Sequence, residues 1–211
     1  MITNEQIDRF IDAAHRAGKA KLMLCSSGNL SWKIGDQVLL TGTGSWVAGL
    51  KKEEVTICNL VDGSIVQGGK PTSENGFHLG VLRNRKDRNA VLHFQSEYAT
   101  IISCMKNRPT DFNVTAEVTL YCGKEIPVVP YIRPGSPELA KAIIEALTDH
   151  DCAIMEKHGQ VVCGKDLDDA FQKAMFFEMG CRILVLSGFS CQTLTEQEIA
   201  DLEYYILGKK K

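Results

Sequence analysis

Three side chains in this sequence could together bind a divalent metal ion: Glu74, His93 and His158. Carboxylate oxygen and imidazole nitrogen are ligand types that Zn²⁺ and related ions take in proteins. Each histidine alone could equally be a buried or loop residue with ordinary hydrogen bonds. Because distance along the chain does not show which side chains meet, the metal site is a prediction that depends on the fold.

Small hydroxyl residues and glycines occur in two segments that could bind an anion. Residues 41–45 have the sequence TGTGS, where backbone N–H groups can approach an anion closely and the hydroxyls add donors. An ordinary loop is the alternative, and no Gly-Lys-Ser/Thr follows to make a Walker loop. The second segment, Thr72 and Ser73, directly precedes Glu74. If these hydroxyls and the metal ligands share one pocket, the protein is a metal enzyme that acts on a phosphorylated compound.

A helix is predicted to follow the second hydroxyl segment. Glu74 starts it, and Phe77, His78, Val81 and Leu82 form its apolar stripe. Glu74 and His78 are four residues apart and could therefore share a helix face. The favoured interpretation gives His78 either a supporting role behind the site residues or a position at the edge of the core.

Two predicted strands carry the histidines. Residues 90–95 form a strand whose alternation puts His93 and Gln95 on one face. Residues 151–156 form another strand, which delivers His158 to its end, and a paired strand follows. Both histidines are thus expected near strand ends.

The remaining elements predict a mixed α/β fold. A capping box at Thr3 and Gln6 starts an amphipathic helix, and Ser136 caps a second helix. Residues 109–134 are predicted to be loop and strand. The other predicted elements are hairpins within residues 28–40 and 55–67, a helix after Ser96, and helices at 167–186 and 196–207. Hairpins combined with alternating strands and helices predict one mixed α/β sandwich domain over residues 1–211.

Composition and charge argue against several classes of protein. The formal net charge is −2, which gives no electrostatic reason to expect nucleic acid or an anionic membrane as a partner. No apolar run approaches the roughly 20 residues of a membrane span. The N-terminal residues 1–16 are too polar for a signal peptide. The eight cysteines are scattered without a Cys-x-x-Cys pair, which predicts reduced thiols in a cytoplasmic protein.

Five short motifs together resemble one known family. They are GNLS at residues 28–31, TG at 43–44, PTSE at 71–74, HFQ at 93–95 and KHG at 157–159. In this order and spacing the chain resembles the class II aldolase/adducin family over nearly its whole length, and most of all its fuculose-phosphate aldolases. The resemblance implies a three-layer sandwich with a mixed, mostly antiparallel sheet between helices.

The resemblance also implies an activity. The implied activity is that of a lyase, namely a metal-dependent aldolase of carbohydrate metabolism such as the one that acts in fucose degradation. Such an enzyme cleaves a ketose 1-phosphate, such as L-fuculose 1-phosphate, to dihydroxyacetone phosphate and an aldehyde through a metal-stabilised enediolate. The implied cofactor is Zn²⁺, or another divalent cation such as Mn²⁺ or Co²⁺. The implied roles are phosphate binding by Asn29, Thr43, Gly44, Thr72 and Ser73, metal binding by Glu74, His93 and His158, and acid/base catalysis by Glu74.

One departure from the family pattern concerns the metal. The usual His-x-His is His93-Phe94-Gln95 here, so Gln95 stands where the third histidine ligand is expected. An amide oxygen can ligate a cation, but it is a weaker and harder donor than imidazole. Lower zinc affinity, a different preferred ion and a lost metal all remain open, and loss is the least favoured because the other three ligands are present.

A second departure concerns the proton donor. The fuculose-phosphate aldolases use a tyrosine from a neighbouring subunit, but residues 113–119 contain none. Glu117 is the predicted replacement in catalysis, and Tyr121 is a weaker candidate. Near the C-terminus, Tyr204 and Tyr205 resemble the tail tyrosine that closes over the aldehyde.

The resemblance leaves two alternatives open. One is a related enzyme, either a methylthioribulose-1-phosphate dehydratase or an aldolase for a different deoxysugar phosphate, since both need the same metal and phosphate sites. The other is a non-catalytic binding module like the adducin head, which Gln95 favours and Glu74 opposes. The family also implies a homotetramer with active sites at the subunit interfaces, acting on a small sugar phosphate.

Overall fold

One eight-stranded sheet organises the computed structural model, which describes residues 2–208. The strands are β1 (Asn29–Ile34), β2 (Gln37–Thr41), β3 (Val55–Asn59), β4 (Ile65–Gln67), β5 (Ala90–Phe94), β6 (Val128–Val129), β7 (Cys152–Met155) and β8 (Gly159–Gly164). Their order across the sheet is β4-β3-β2-β1-β5-β8-β7-β6. Every neighbouring pair is antiparallel except β6 and β7, which are parallel. The prediction of a mixed, mostly antiparallel sheet is therefore confirmed.

Helices cover both faces of the sheet. They are α1 (Asn4–Lys19), α2 (Asn75–Asn84), α3 (Glu97–Cys104), α4 (Ala116–Cys122), α5 (Pro137–Ala146), α6 (Leu167–Leu186) and α7 (Glu196–Leu207). Phe77 of α2 and Ile143 of α5 belong to the apolar cluster on one face. Phe10 of α1, Ile102 of α3 and Phe177 of α6 belong to the cluster on the other face. Two separate cores make the three-layer sandwich that the sequence predicted.

Side-chain caps mark several helix starts. The hydroxyl of Thr3 accepts from the N–H of Gln6, whose side chain accepts from the N–H of Thr3, which confirms the predicted capping box. The hydroxyl of Ser136 accepts from the N–H of Leu139 at 3.2 Å, as predicted for α5. Within residues 2–208, no helix has the length and apolarity that crossing a membrane requires.

The prediction of loop and strand over residues 109–134 is wrong in part, because α4 lies inside that segment. The hydroxyl of Thr115 accepts from the N–H of Val118 and caps the helix. Val118 and Cys122 are buried, and the absence of a side chain at Gly180 lets Val118 pack closely on α6, where a Cβ would lie 2.8 Å from its Cγ2. Packing on α6 thus outweighs the strand preference of an alternating, β-branched sequence.

Strand register brings three parts of the chain to one edge of the sheet. Asn29, the first residue of β1, pairs with His93 near the end of β5. Phe94 of β5 pairs with Gln160, near the start of β8. The turn between β7 and β8, which contains His158, therefore lies beside the end of β5.

The loop before α2 reaches the same edge through backbone contacts with the end of β2. Gly42 and Pro71 form an isolated antiparallel bridge. The N–H of Thr72 donates to the carbonyl of Thr41 at 3.0 Å. Glu74 follows at the N-cap of α2, so its carboxylate starts beside the strand ends that carry the two histidines.

Candidate metal centre and active site

Glu74, His93 and His158 meet at this edge of the sheet. Their possible ligand atoms all lie within 4.8 Å of one another. Nε2 of His93 is 3.4 Å from Oε2 of Glu74, and Nε2 of His158 is 3.6 Å from Oε1. The two imidazole rings lie 4.8 Å apart in an edge-to-face arrangement. The structure therefore brings together three groups that lie up to 84 residues apart in sequence.

His93 is oriented by the strand next to its own. Its Nδ1 lies 2.8 Å from the carbonyl oxygen of Gln160, so Nδ1 carries a hydrogen, and in the neutral ring Nε2 is then the nitrogen with the lone pair, facing Glu74 and His158. Gly159 makes this approach possible, because a Cβ there would lie 3.0 Å from Cε1 of His93 and 2.6 Å from the carbonyl of Phe94. This tautomer is the one in which Nε2 can bind a metal ion.

His158 sits in the tight turn between β7 and β8. The residue before it, Lys157, adopts a left-handed conformation with φ of 55°. Burial, and then the neighbouring His93, lowers the pKa of His158 to about 4, against the opposite effect of Glu74. The ring is therefore neutral at pH 7, and neutral imidazole is the form that ligates metals.

The Glu74 carboxylate has one occupied and one unpartnered oxygen. Oε2 accepts from Nδ2 of Asn29 at 2.9 Å. Oε1 is buried and has no hydrogen-bond partner among residues 2–208. A buried polar atom without a partner is rare and costs free energy unless a ligand or ion satisfies it. Together with two imidazole Nε2 atoms, Oε1 fits a divalent cation that Glu74, His93 and His158 would hold.

Gln95 lies immediately after β5 and belongs to the same site. Its Nε2 donates to the carbonyl oxygen of His158 at 2.6 Å, which ties the β7–β8 turn to the end of β5. Gln95 thus supports the backbone of a candidate ligand. Its predicted role as a ligand in its own right stays a prediction.

A cavity of about 180 Å³ opens beside the three candidate ligands. Its lining includes all five predicted phosphate residues, namely Asn29, Thr43, Gly44, Thr72 and Ser73. Ser45, from the predicted anion-binding segment 41–45, also lines it, as do Ser26, Ser27 and Pro134, which were not predicted to belong to the site. The Ser-Ser pair directly before Gly28 was the available signal. No lysine or arginine among residues 2–208 lines this cavity, so its anion-binding groups are neutral donors.

A larger cavity of about 510 Å³ lies beside it, between α2 and α5. It shares Ser73 and Glu74 with the smaller cavity, but its lining contains neither His93 nor His158. The candidate chemistry therefore belongs to the smaller cavity.

The additional proton-transfer candidates lie elsewhere in the chain. Glu117 is exposed on α4 and does not line the 180 Å³ cavity. Tyr121 packs against Phe176, with ring centroids 4.9 Å apart. Tyr204 and Tyr205 are exposed on α7. The structure therefore does not bring these four groups to the candidate metal centre of their own chain.

The fold and the site together define a family. Residues 8–185 match the model of the Class II Aldolase and Adducin N-terminal domain, so the chain belongs to that family. The match confirms the resemblance that the five sequence motifs indicated. Enzymes of the class II aldolase family use a divalent metal, which agrees with the donor set at Glu74, His93 and His158.

Individual relatives carry two different activities in their names. L-fuculose phosphate aldolase of Methanocaldococcus jannaschii is 36% identical over 85% of this chain and 95% of its own length. 3-Oxo-tetronate 4-phosphate decarboxylase of Haemophilus influenzae is 32% identical over 84% of this chain and 86% of its own. The crystal structure of YgbL from Escherichia coli, described as an aldolase/epimerase/decarboxylase, has a TM-score of 0.88 and 29% identity, covering 94% of this chain and 97% of its own.

Proposed function

We propose that this protein is a metal-dependent lyase that breaks a carbon–carbon bond of a phosphorylated ketone and releases dihydroxyacetone phosphate. The observation that carries the proposal is the unpartnered, buried Oε1 of Glu74 between two histidines, at the wall of a cavity lined by neutral hydroxyl and glycine donors. The volume is below the roughly 300 Å³ at which pockets for drug-sized ligands begin, which favours a compact substrate.

The preferred reaction is the aldol cleavage of a ketose 1-phosphate, such as L-fuculose 1-phosphate. A base takes the proton of the C4 hydroxyl, the C3–C4 bond breaks, and an aldehyde leaves. The electron pair moves toward the C2 carbonyl and forms an enediolate, which Glu74 protonates at C3. A bound divalent cation, Zn²⁺, Mn²⁺ or Co²⁺, would supply positive charge for the substrate oxygens that become anionic.

The cavity wall opposite the carboxylate would hold the phosphate. Thr43, Gly44, Thr72 and Ser73 offer backbone N–H groups and hydroxyls for its oxygens. Asn29 already donates one amide hydrogen to Glu74, so its second amide hydrogen is the one that remains for phosphate. Holding the phosphate in this way keeps the reacting carbons next to Glu74.

The base for the C4 hydroxyl is proposed to come from a second chain. In a homotetramer with sites at the subunit interfaces, Glu117 of the partner subunit would take this proton. Its exposed position on α4 leaves it available for such a contact. The oligomeric state and this role are both part of the proposal.

A second candidate is the decarboxylation of a 3-oxo acid 4-phosphate, the activity named for several relatives. Loss of CO₂ leaves its bond electrons in the same three-carbon enediolate phosphate, which one proton converts to dihydroxyacetone phosphate. No C4 hydroxyl has to lose a proton. Glu74 is the only carboxylate among the described residues that line the cavity, and this single group would suffice.

The test is to strip the protein with a chelator, reload it with Zn²⁺, Mn²⁺ or Co²⁺, and offer a panel of ketose 1-phosphates and 3-oxo-tetronate 4-phosphate. Dihydroxyacetone phosphate is measured in every reaction, and CO₂ separates decarboxylation from aldol cleavage. Glu74→Gln serves as the matched inactive control. A reloaded protein that contains metal and releases no dihydroxyacetone phosphate from any of these substrates contradicts the proposal.

A further inference from the structure

His78 is a buried histidine that the proposed chemistry does not use. It lies four residues after Glu74 on α2 and is fully buried. Its Nδ1 is 2.7 Å from the hydroxyl of Ser31 on β1, and its Nε2 is 2.5 Å from Oδ1 of Asn29. It therefore reaches Glu74 through the amide of Asn29.

In the hydrogen bonds around His78, each residue donates to the next one toward Glu74. Asn29 donates Nδ2–H to Oε2 of Glu74, so its carbonyl oxygen faces His78. An oxygen acceptor at this position requires the hydrogen of His78 on Nε2. Nδ1 then carries the lone pair, and the hydroxyl of Ser31 donates to it. The result is a chain of donors, Ser31 to His78 to Asn29 to Glu74.

The neutral form of His78 is needed for this direction. Burial, and then the nearby His93, lowers the pKa of His78 to about 3. The ring also stacks on Phe77 with centroids 4.6 Å apart, which fixes its plane. A neutral, fixed ring has one donor and one acceptor, which matches the two partners that it contacts.

The chain of donors determines how Glu74 is presented. With Oε2 held by Asn29, rotation of the carboxylate is restricted and the unpartnered Oε1 is directed toward His158, 3.6 Å away. If the Asn29 amide were reversed, two oxygens would face each other at Glu74. Ser31 and His78 thus prevent this reversal from a distance.

We propose that Ser31 and His78 are positioning residues that hold Asn29, and through it Glu74, in the orientation needed to bind the catalytic cation. This inference rests on the proposed metal-dependent function. It extends the site from the cavity wall into the contact between α2 and β1, where no substrate reaches.

The experiment measures the affinity of the chelator-treated protein for Co²⁺ by competition with a chelating dye, together with the Co²⁺ absorption spectrum. His78→Phe removes both hydrogen bonds, and we expect it to weaken Co²⁺ binding about 10–100-fold and to alter the spectrum. In His78→Gln the amide can donate to Asn29 and accept from Ser31, so affinity should return to within about threefold of the wild type.

Ser31→Ala is the second variant, and it keeps the inference testable if His78→Phe fails to fold. It should weaken Co²⁺ binding about fivefold, because it removes a single buried hydrogen bond. Its matched control is Ser103→Ala, another fully buried serine whose hydroxyl donates to the carbonyl of Thr100. The control should bind Co²⁺ like the wild type.

The outcomes separate the inference from the proposed function. Folded His78→Phe and Ser31→Ala proteins with wild-type Co²⁺ affinity and spectrum overturn the inference, whatever the lyase assay shows. The same holds if His78→Gln binds as poorly as His78→Phe. A wild-type protein that binds Co²⁺ but releases no dihydroxyacetone phosphate overturns the proposed function alone.

Discussion

The two ends of β5 and β8 carry polar clusters of opposite kinds. At the end near His93, the Glu74 carboxylate keeps an oxygen without a partner. At the other end, Asp151 accepts four hydrogen bonds from cationic side chains: one from Arg85, two from Arg88 and one from Lys173. We call the first the incomplete end, because one carboxylate oxygen there has no partner. The second is the saturated end, because both oxygens of Asp151 accept hydrogen bonds. Both ends belong to the same strands.

The saturated end is a closed charge cluster. Lys173, only 4% exposed, donates to Asp151, to Asp169 and to the carbonyl of Cys163. Burial raises the pKa of Asp151, but hydrogen bonds and charge from Arg88 and Lys173 outweigh it and hold this pKa well below the usual range. The charges of this cluster are compensated within the chain, so we assign its contribution to stability.

Within one sheet, the Glu74 end has the features of a binding site and the Asp151 end has those of a structural cluster. A strongly shifted pKa occurs at both ends, so the shift itself does not identify the active site. The unpartnered Oε1 of Glu74 lies between two histidines at a cavity wall, and this combination is what favours that end as the place where a cation binds. Variants at each end should therefore affect different measurements.

The largest expected effect is on activity and comes from Glu74→Gln. It removes both a candidate ligand and the proposed acid, so kcat should fall about 10²–10⁴-fold. The free energy of unfolding of the chelator-treated protein should change by less than about 1 kcal/mol, because the glutamine oxygen can still accept from Asn29 and Oε1 has no hydrogen bond to lose. Urea unfolding with and without chelator checks this, and a large loss of stability without metal would make Glu74 a structural residue.

Asp151→Ala should have the opposite pattern, with a large loss of stability and no change in metal affinity. Removing the acceptor of four hydrogen bonds from cationic groups leaves Lys173 and two arginines partly uncompensated, so stability should fall by about 3–5 kcal/mol. Asp168→Ala is the control: its ion pairs with Arg9 and Arg16 are exposed, and it should cost less than about 1 kcal/mol. Metal affinity should stay unchanged in both proteins when it is measured below their unfolding transitions.

Substitutions of two glycines at opposite ends of β8 test the two ends separately. Gly159→Ala places a Cβ 3.0 Å from Cε1 of His93 and should weaken Co²⁺ binding about 10–100-fold. Gly164→Ala places one 2.5 Å from the N of Ala170, so it should cost about 1–3 kcal/mol of stability through steric overlap. If Gly164→Ala weakened Co²⁺ binding as much as Gly159→Ala, the two ends would not be independent.

The two ends should also lose stability in different pH ranges. Because the pKa of His78 is lowered in the folded protein, the unfolded chain binds a proton at this histidine at a higher pH than the folded chain does. The contribution of His78 to the free energy of unfolding is therefore complete above about pH 6.5 and is lost as the pH falls toward 3. The contribution of Asp151 is complete above about pH 4 and is lost only below it.

In chelator-treated protein, His78→Gln should therefore remove up to about 1.4 kcal/mol per pH unit from the slope of stability between pH 6.5 and 4. Asp151→Asn should leave the slope in that range unchanged and flatten it only at lower pH. The check is urea unfolding from pH 3.5 to 8. Equal slopes for wild type and His78→Gln would contradict the assignment.

The elements that were predicted correctly depend on local patterns. The Thr3 capping box, the Ser136 cap and the hairpins are specified by residues close together in the chain. The family resemblance placed Asn29 and Glu74 in one site, and the structure brings these two side chains into contact. A single sequence without that resemblance offers residue types but not distances.

The parts that were missed depend on contacts between distant residues. Arg85 and Arg88 donate to Asp151, which lies more than 60 residues later in the chain. The contact of His78 with Asn29 spans 49 residues. Helix α4 was missed because its stability comes from packing on α6. No local pattern encodes these partners.

The unpartnered oxygen of Glu74 has a consequence for the lifetime of the protein in a cell. Without an ion, the buried oxygen destabilises the fold by about 1–3 kcal/mol. A bound cation removes this cost and adds its own binding free energy, which grows with the concentration of free ion. Unfolded chains are the ones that proteases degrade, so abundance should follow the supply of the metal. One oxygen atom would thus make the amount of this protein in a cell depend on the supply of free metal ion.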